Sequence, residues 1–295
     1  MNEEFLIEPK GFKNSLELKY LFEKFGFYQG RFIGQFPKSW RKEVFEHMAS
    51  LSDVEQSRIR ILMDRHKNCL VPSGQSFKPT LSWLENAHQQ ISDNNYDGVI
   101  AASGNPWNYP TIDSVEIDYL QGGQDVRVLA SGPNYAKVTC RLLQLSHEII
   151  LVDPYIQLNS ARCAQVLKNI LTTAQQEKCK SWVIWARHKI SSMKTEQGYV
   201  HMLKKNYLEM LLPGSSLTVK LVNDDQSSEK MHARLMLSTL GGFRFDHGFS
   251  EFTENRYVDI AILGKAVHEH HCRWYVDPNS ICDFEIIEEH TIKKY

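Results

Sequence analysis

Apolar residues recur at helical spacing through the first third of the chain and in short, strand-length runs through much of the rest. From Ser15 to Phe25 they fall at Leu16, Leu18, Leu21, Phe22 and Phe25, which predicts a short amphipathic helix stopped at Gly26. Pro37 opens a second helix through Trp40, Val44, Phe45 and Met48, and Ser52-Asp53 caps a third containing Ile59, Ile61, Leu62 and Met63. A fourth carries Trp83-Leu84 and ends before Asp93-Asn94-Asn95. Residues 1–120 therefore read as a mainly helical domain. The turn-rich stretch Gly104-Asn105-Pro106-Trp107-Asn108-Tyr109-Pro110 lies near its boundary, and a partner-binding loop is the alternative reading of it.

After that loop, strands and helices alternate. Val126 to Ala130 reads as a strand, Tyr135 to Ser146 as a helix, and Glu148 to Asp153 as a buried strand ending in a carboxylate. Helix Ala161 to Ala174, strand Trp182 to Ala186, helix Tyr199 to Leu212 and strand Leu217 to Val222 follow. Later strands around Ala233–Leu237, Gly242–Phe245, Val258–Leu263 and Asp283–Ile287 have short connections, so part of the sheet should be antiparallel. The expected fold class for residues 121–295 is α/β, a mixed sheet flanked by helices.

Composition changes this picture little. Of 295 residues, 42% are hydrophobic and 23% charged, ordinary values for a chain with a packed core. A formal net charge of −1 excludes global attraction to polyanions, so any such binding needs a local patch. The chain opens Met1-Asn2-Glu3-Glu4, and no apolar run approaches the roughly 20 residues of a membrane span. The reading is a cytoplasmic protein without an integral membrane segment. The six cysteines show no C-x-x-C spacing and read as reduced, mostly buried thiols.

Aromatic and basic residues interleave near the start, at Phe12, Lys13, Tyr28, Arg31, Phe32, Lys38, Trp40, Arg41 and Lys42. A single-strand-binding surface has that composition, but core packing is the favoured reading because large aromatics usually fill interiors. His268-Glu269-His270-His271-Cys272 has metal-ligand residue types, yet neighbours in sequence seldom converge on one tetrahedral centre. It reads as a polar helix face with Val267 and Trp274 turned inward; no metal or cofactor is expected.

The sharpest chemistry lies in Met231 to Phe249, MHARLMLSTLGGFRFDHGF. On a strand, residues i and i+2 share a face, so His232 and Arg234 should project into one pocket, as nucleophile or acid and as phosphate clamp. Asp153, where a parallel strand should end, is a candidate for orienting His232 or an arginine, with loop capping as the alternative. Asp246 and His247, after the glycine turn Gly241-Gly242, are further candidate ligand contacts.

From about Gly123 onward these segments resemble the C-terminal domain of MIT-domain proteins, a divergent branch of the phospholipase D-like fold. Asp153-Pro154-Tyr155-Ile156 is similar to that family's acidic strand end, and His232-Ala233-Arg234 with Gly241-Gly242 and Gly248-Phe249 to its H-x-R strand and turn. Cys282-Asp283-Phe284 and Glu289-His290-Thr291-Ile292 resemble its last strand and tail. The resemblance implies a phospholipase D-like domain, most simply a homodimer, handling a phosphodiester. Active members of the wider superfamily carry H-x-K-x-x-x-x-D, with two histidines brought together. Here Arg234 and Thr239 replace the lysine and the acid, and no second good copy is present, so two chains would have to pair their His232 side chains. Three readings stay open. One is a metal-independent nuclease of a bacterial defence or DNA-processing system, with or without a companion protein. Another is a catalytically silent scaffold that dimerises and binds proteins or lipid headgroups. In the third, the N-terminal region carries the function and the α/β domain only dimerises.

Overall fold

The apolar runs Phe5-Leu6-Ile7, Phe32-Ile33, Leu70-Val71 and Val99-Ile100 are the interiors of four strands that the helical reading of this region left out. The computed structural model describes residues 1–115, 117–120, 123–174, 179–191, 193, 195–252, 255–277 and 280–295. The chain divides into two units, Met1–Gln124 and Asp125–Tyr295.

In the first unit, β1 (Glu3–Ile7), β2 (Arg31–Gln35), β3 (Leu70–Pro72) and β4 (Gly98–Ile100) form a parallel sheet in the order β3-β2-β1-β4. Phe5 pairs with Ile33 on one side and Gly98 on the other. A parallel sheet covered on both faces buries every side chain, so its strands are short apolar runs without alternation. The expected helices are present as α1 (Ser15–Glu23), α2 (Trp40–His47), α3 (Asp53–Arg65) and α4 (Trp83–Ser92). The Asn14 side chain accepts from the Leu16 and Glu17 N–H groups at the start of α1, and Ser82 with Glu85 makes a capping box on α4. Phe12, Leu18, Phe22, Trp40, Ile59 and Met63 pack with Phe5, Ile7 and Ile33, while Leu6, Phe36, Ala87, Tyr96 and Val99 form a second cluster. Trp40 is fully buried, and its indole donates to the Ile7 carbonyl at 2.6 Å. Phe12, Phe32 and Trp40 thus belong to the core.

The second unit contains β5 (Asp125–Leu129), α5 (Gly132–Leu145), β6 (Glu148–Val152), α6 (Ala161–Ala174), β7 (Ser181–Arg187), α7 (His188–Ser191), α8 (Glu196–Tyr207) and β8 (Ser215–Asn223). It continues with β9 (Arg234–Leu237), β10 (Gly242–Phe245), β11 (Tyr257–Ile262), α9 (Lys265–Tyr275) and β12 (Glu285–Lys294). Its eight strands run β12-β8-β7-β6-β9-β10-β11-β5. Strands β6, β7 and β8 are parallel, and every other pairing is antiparallel. The architecture is α/β, a mixed sheet with helices on its faces. Ile150, Val152, Trp185, Leu235, Leu237 and Trp274 form one core cluster; Ile149, Leu151, Ile184 and Val219, pointing the other way by strand alternation, are buried as well.

Two expectations change here. On α9, Trp274 is buried but Val267 is 49% exposed. His268 turns inward instead, with Nε2 2.9 Å from the Ser238 carbonyl and 3.2 Å from Cys272 Sγ. A hydrogen-bonded histidine can occupy the interior that an apolar pattern assigns to valine. The last strand, expected around Asp283–Ile287, runs instead from Glu285 to Lys294 and takes in Glu289-His290-Thr291-Ile292. Among the described residues, no helix is long and apolar enough to cross a membrane, and no group of histidine, cysteine and carboxylate side chains is arranged to hold a metal ion.

Candidate functional site

Three parallel strands end side by side in the second unit, and each ends in an ionisable residue. Asp153 follows β6, Arg187 closes β7 and Asp224 follows β8. Space outside the carboxyl ends of parallel strands is where open α/β sheets collect ligands. Asp224 and Arg187 satisfy each other there: Arg187 Nη2 lies 2.7 Å from Asp224 Oδ2 and also donates to the Met231 carbonyl at 2.9 Å. Asp224 accepts the Met231 N–H at 2.8 Å. Burial would raise the Asp224 carboxyl, but the hydrogen bonds and charge of Arg187 hold it below the usual range.

Asp153 is equally hidden, at 2% exposure, yet among the described residues no cation is hydrogen-bonded to it. Its Oδ1 accepts the Tyr155 N–H at 2.9 Å and its Oδ2 the Phe249 N–H at 3.1 Å. Burial pushes its carboxyl above the ordinary value, opposed by those two N–H groups and by the charges of Arg234 and His247. Asp153 therefore pins the Gly248-Phe249 segment to the end of β6. Gly248 is required for that approach, because a Cβ there would lie 2.2 Å from Asp153 Oδ2.

Beside this clamp opens a cavity of about 470 Å³ lined by Asp153, Tyr155, Ser160, Arg162, Arg234, His247 and Ser250, among others. Arg234 is the first residue of β9. Its Nη1 donates to the Asp246 carbonyl at 3.2 Å, and its guanidinium carbon sits 5.2 Å from the Tyr155 ring centroid. Arg187 approaches the same ring at 5.7 Å. Helix α6 presents its amino end to the cavity through Ser160 and Ala161, and Ser160 Oγ caps the helix by accepting the Cys163 N–H. His247 is half-buried, packs against Phe252 and lies 3.4 Å from Ser250 Oγ through Nε2. Burial and then the positive charge of Arg234 lower its pKa below the ordinary histidine value, against the pull of Asp153 and Asp246. Two guanidinium groups, a helix amino terminus and two hydroxyls around one concavity form an environment suited to an anion.

Asp153, Arg234 and His247, picked from the sequence, thus meet in one cavity. His232 does not line it. It lies in the irregular segment before β9 and is exposed, so the strand alternation that would have set it beside Arg234 does not extend to it. The Asp246 side chain is exposed and lines a separate concavity with Arg127, Arg244 and Asp259, while its backbone carbonyl serves Arg234. Sequence reading missed Arg162, Arg187, Ser160 and the role of Gly248. Arg187 had a usable signal, since it closes a β-run next to the one ending at Asp153. No family model matches the chain, and no curated protein matches it. One similar solved structure is that of TrmBL2, an archaeal chromatin protein described as showing a novel mode of DNA binding. The match has 11% identity, covers 77% of this chain and 82% of that one, and has a TM-score of 0.27, which carries no argument about fold or ligand.

Proposed function

We propose that the second unit is a phospholipase D-like domain that binds a phosphate-bearing ligand in the Arg234 cavity. The observation that carries this reading is the placement of Arg234. Its guanidinium is held against Tyr155 and the Asp246 carbonyl at the rim of a concavity that also contains Arg162 and the amino end of α6. A preset planar fork of donors fits phosphate oxygens without paying to order a long side chain. The exposure of His232 outside the cavity favours binding over cleavage by a single chain. Cleavage would require His232 of two chains at one phosphate, one attacking phosphorus and the other protonating the leaving oxygen.

The test uses short single-stranded and double-stranded DNA and RNA, with EDTA, against wild type, Arg234→Ala and His232→Ala. The binding reading expects wild type and His232→Ala to retain an oligonucleotide that Arg234→Ala releases, with no product formed. Equal retention by Arg234→Ala overturns it. Metal-independent product lost in His232→Ala would establish the nuclease instead. Binding only to vesicles containing anionic lipid would move the ligand to headgroups and support the scaffold reading.

A further inference from the structure

Strand β12 is the terminal strand at one edge of the eight-stranded sheet, and the direction of its peptide groups can be read from its neighbours. Ser216 N donates to the Lys180 carbonyl on the β7 side, at 3.0 Å, while Gly214 N donates to the Lys294 carbonyl on the β12 side, at 2.7 Å. In a strand, successive residues turn their peptide groups to opposite edges. Ser216, Thr218 and Lys220 therefore bond toward β7, and Leu217 and Val219 bond toward β12. The partners of the latter are Ile292 and His290, which spend both N–H and C=O inward. Glu289, Thr291 and Lys293 are left pointing theirs outward, where no strand of the described residues meets them.

Those three residues are complementary to themselves under a two-fold axis. An antiparallel copy with Thr291 opposite Thr291 sets Glu289 opposite Lys293 and Lys293 opposite Glu289. All three are outward-bonding positions, as an antiparallel ladder of paired hydrogen bonds requires. The intervening positions fall into register too, with Glu288 opposite Lys294. Both acids precede both bases along the strand, an order that an antiparallel copy neutralises and a parallel copy opposes. Charges on sheet edges commonly keep strands apart, but repulsion needs no such ordering of sign. The bulge between Ile286 and Glu288 ends the pairable run on the acidic side. Glu289 is already 3.9 Å from Lys220 across the sheet, so a lysine from a second copy would flank it on its open side.

We propose that the outer edge of β12 pairs antiparallel with the same edge of a second copy of this chain, joining two sheets about an axis at Thr291. The proposal does not depend on the phosphate-binding reading and uses no ligand, so either can fail alone.

Light scattering coupled to size-exclusion chromatography on the full chain tests it by charge exchange. Wild type should elute as a dimer. Glu289→Lys sets lysine against lysine at both symmetry-related pairs, Lys293→Glu sets glutamate against glutamate, and each alone should be a monomer. Mixing the two single variants should restore a dimer, and the double variant E289K/K293E should pair with itself. Thr291→Pro removes an outward N–H and no backbone bond to β8, and should also give a monomer; Thr291→Val, which gives up the same hydroxyl contact with Thr218 but keeps the N–H, should stay a dimer. Amide hydrogen exchange in the wild type should show Glu289, Thr291 and Lys293 protected together, a readout that needs no variant to fold. A monomeric wild type, dimers from both single variants, or fast exchange at those three amides would overturn the proposal.

Discussion

Asp153 and Asp224 stand at equivalent places, each just past the carboxyl end of a parallel strand and each almost wholly buried. Their charges are nonetheless governed in opposite directions. Asp224 has a bidentate arginine, and its carboxyl is lowered; Asp153 has, among the described residues, only backbone N–H donors, and burial raises it. The difference shows which half of the strand-end row is structural and which is open. Arg187 and Asp224 are saturated, and through Met231 they fix the segment leading into β9. Around Asp153 the neighbouring cations, Arg234 and Arg162, line a cavity instead, and the hydrogen bond Arg234 makes goes to the Asp246 carbonyl and not to the carboxylate.

The largest effect should come from breaking the saturated pair. Arg187→Ala leaves a buried carboxylate without its cation, and removal of one partner of such a pair costs about 3 kcal/mol. Urea denaturation followed by circular dichroism should show that loss. Arg187→Lys should recover only part of it, because an ammonium cannot span both carboxylate oxygens and the Met231 carbonyl together. A loss below about 1 kcal/mol would place Arg187 among ordinary surface pairs.

The open half should respond through crowding. Gly248→Ala drives a methyl group into Asp153 Oδ2, and overpacking of this kind costs roughly 1–3 kcal/mol. The displaced loop carries His247, so oligonucleotide retention should fall along with stability. In an otherwise wild-type background, full stability with Gly248→Ala would show that the clamp yields freely.

That comparison also marks what was legible in the sequence. The longer helices of both units and most strands of the second were readable from their apolar period, with Ser52 as a legible cap; the caps Asn14 and Ser82 and the one-turn α7 emerge only in the structure. The first unit's sheet was not, because strands as short as Leu70–Pro72 and Gly98–Ile100, buried on both faces, have no alternation to detect. Asp153 could be picked out by its position after an apolar run. The Asp224–Arg187 pair spans 37 residues of sequence, and only the parallel pairing of β7 with β8 brings it together. His232 illustrates the converse failure: a three-residue motif fixes spacing but not where the strand begins.

The pH dependence of stability should separate the two aspartates in sign. Asp153, with its folded pKa raised above the ordinary 3.8, contributes stability at low pH that is lost as pH rises from about 3.8 through the folded value. Asp224, with its pKa lowered, contributes stability present above 3.8 and lost as pH falls through its folded value. Relative to wild type, Asp153→Asn should therefore improve as pH rises through the first window, and Asp224→Asn should worsen as pH rises through the second. Denaturation midpoints for the three proteins across the acid range measure both slopes. Slopes of the same sign would dissolve the contrast between the two strand ends.

The smallest effect should be at His247, where the cavity's charge is adjustable. Burial and Arg234 hold its pKa below the ordinary 6.5, so it is mainly neutral at pH 7 and gains its proton only as the solution becomes more acid. A phosphodiester stays singly charged through that range, so a dinucleotide probe isolates the change on the protein. Protonation should tighten its binding by less than about tenfold, the equivalent of roughly 1.4 kcal/mol, because the ring is half-exposed and its field is screened. His247→Ala should leave affinity near pH 7 almost unchanged and flatten the rise at lower pH. A rise that persists in His247→Ala would assign the titration to Asp153, whose neutralisation in the same direction also favours an anion. Combining His247→Ala with Asp153→Asn then decides between them, since only the true source of the proton removes the remaining slope.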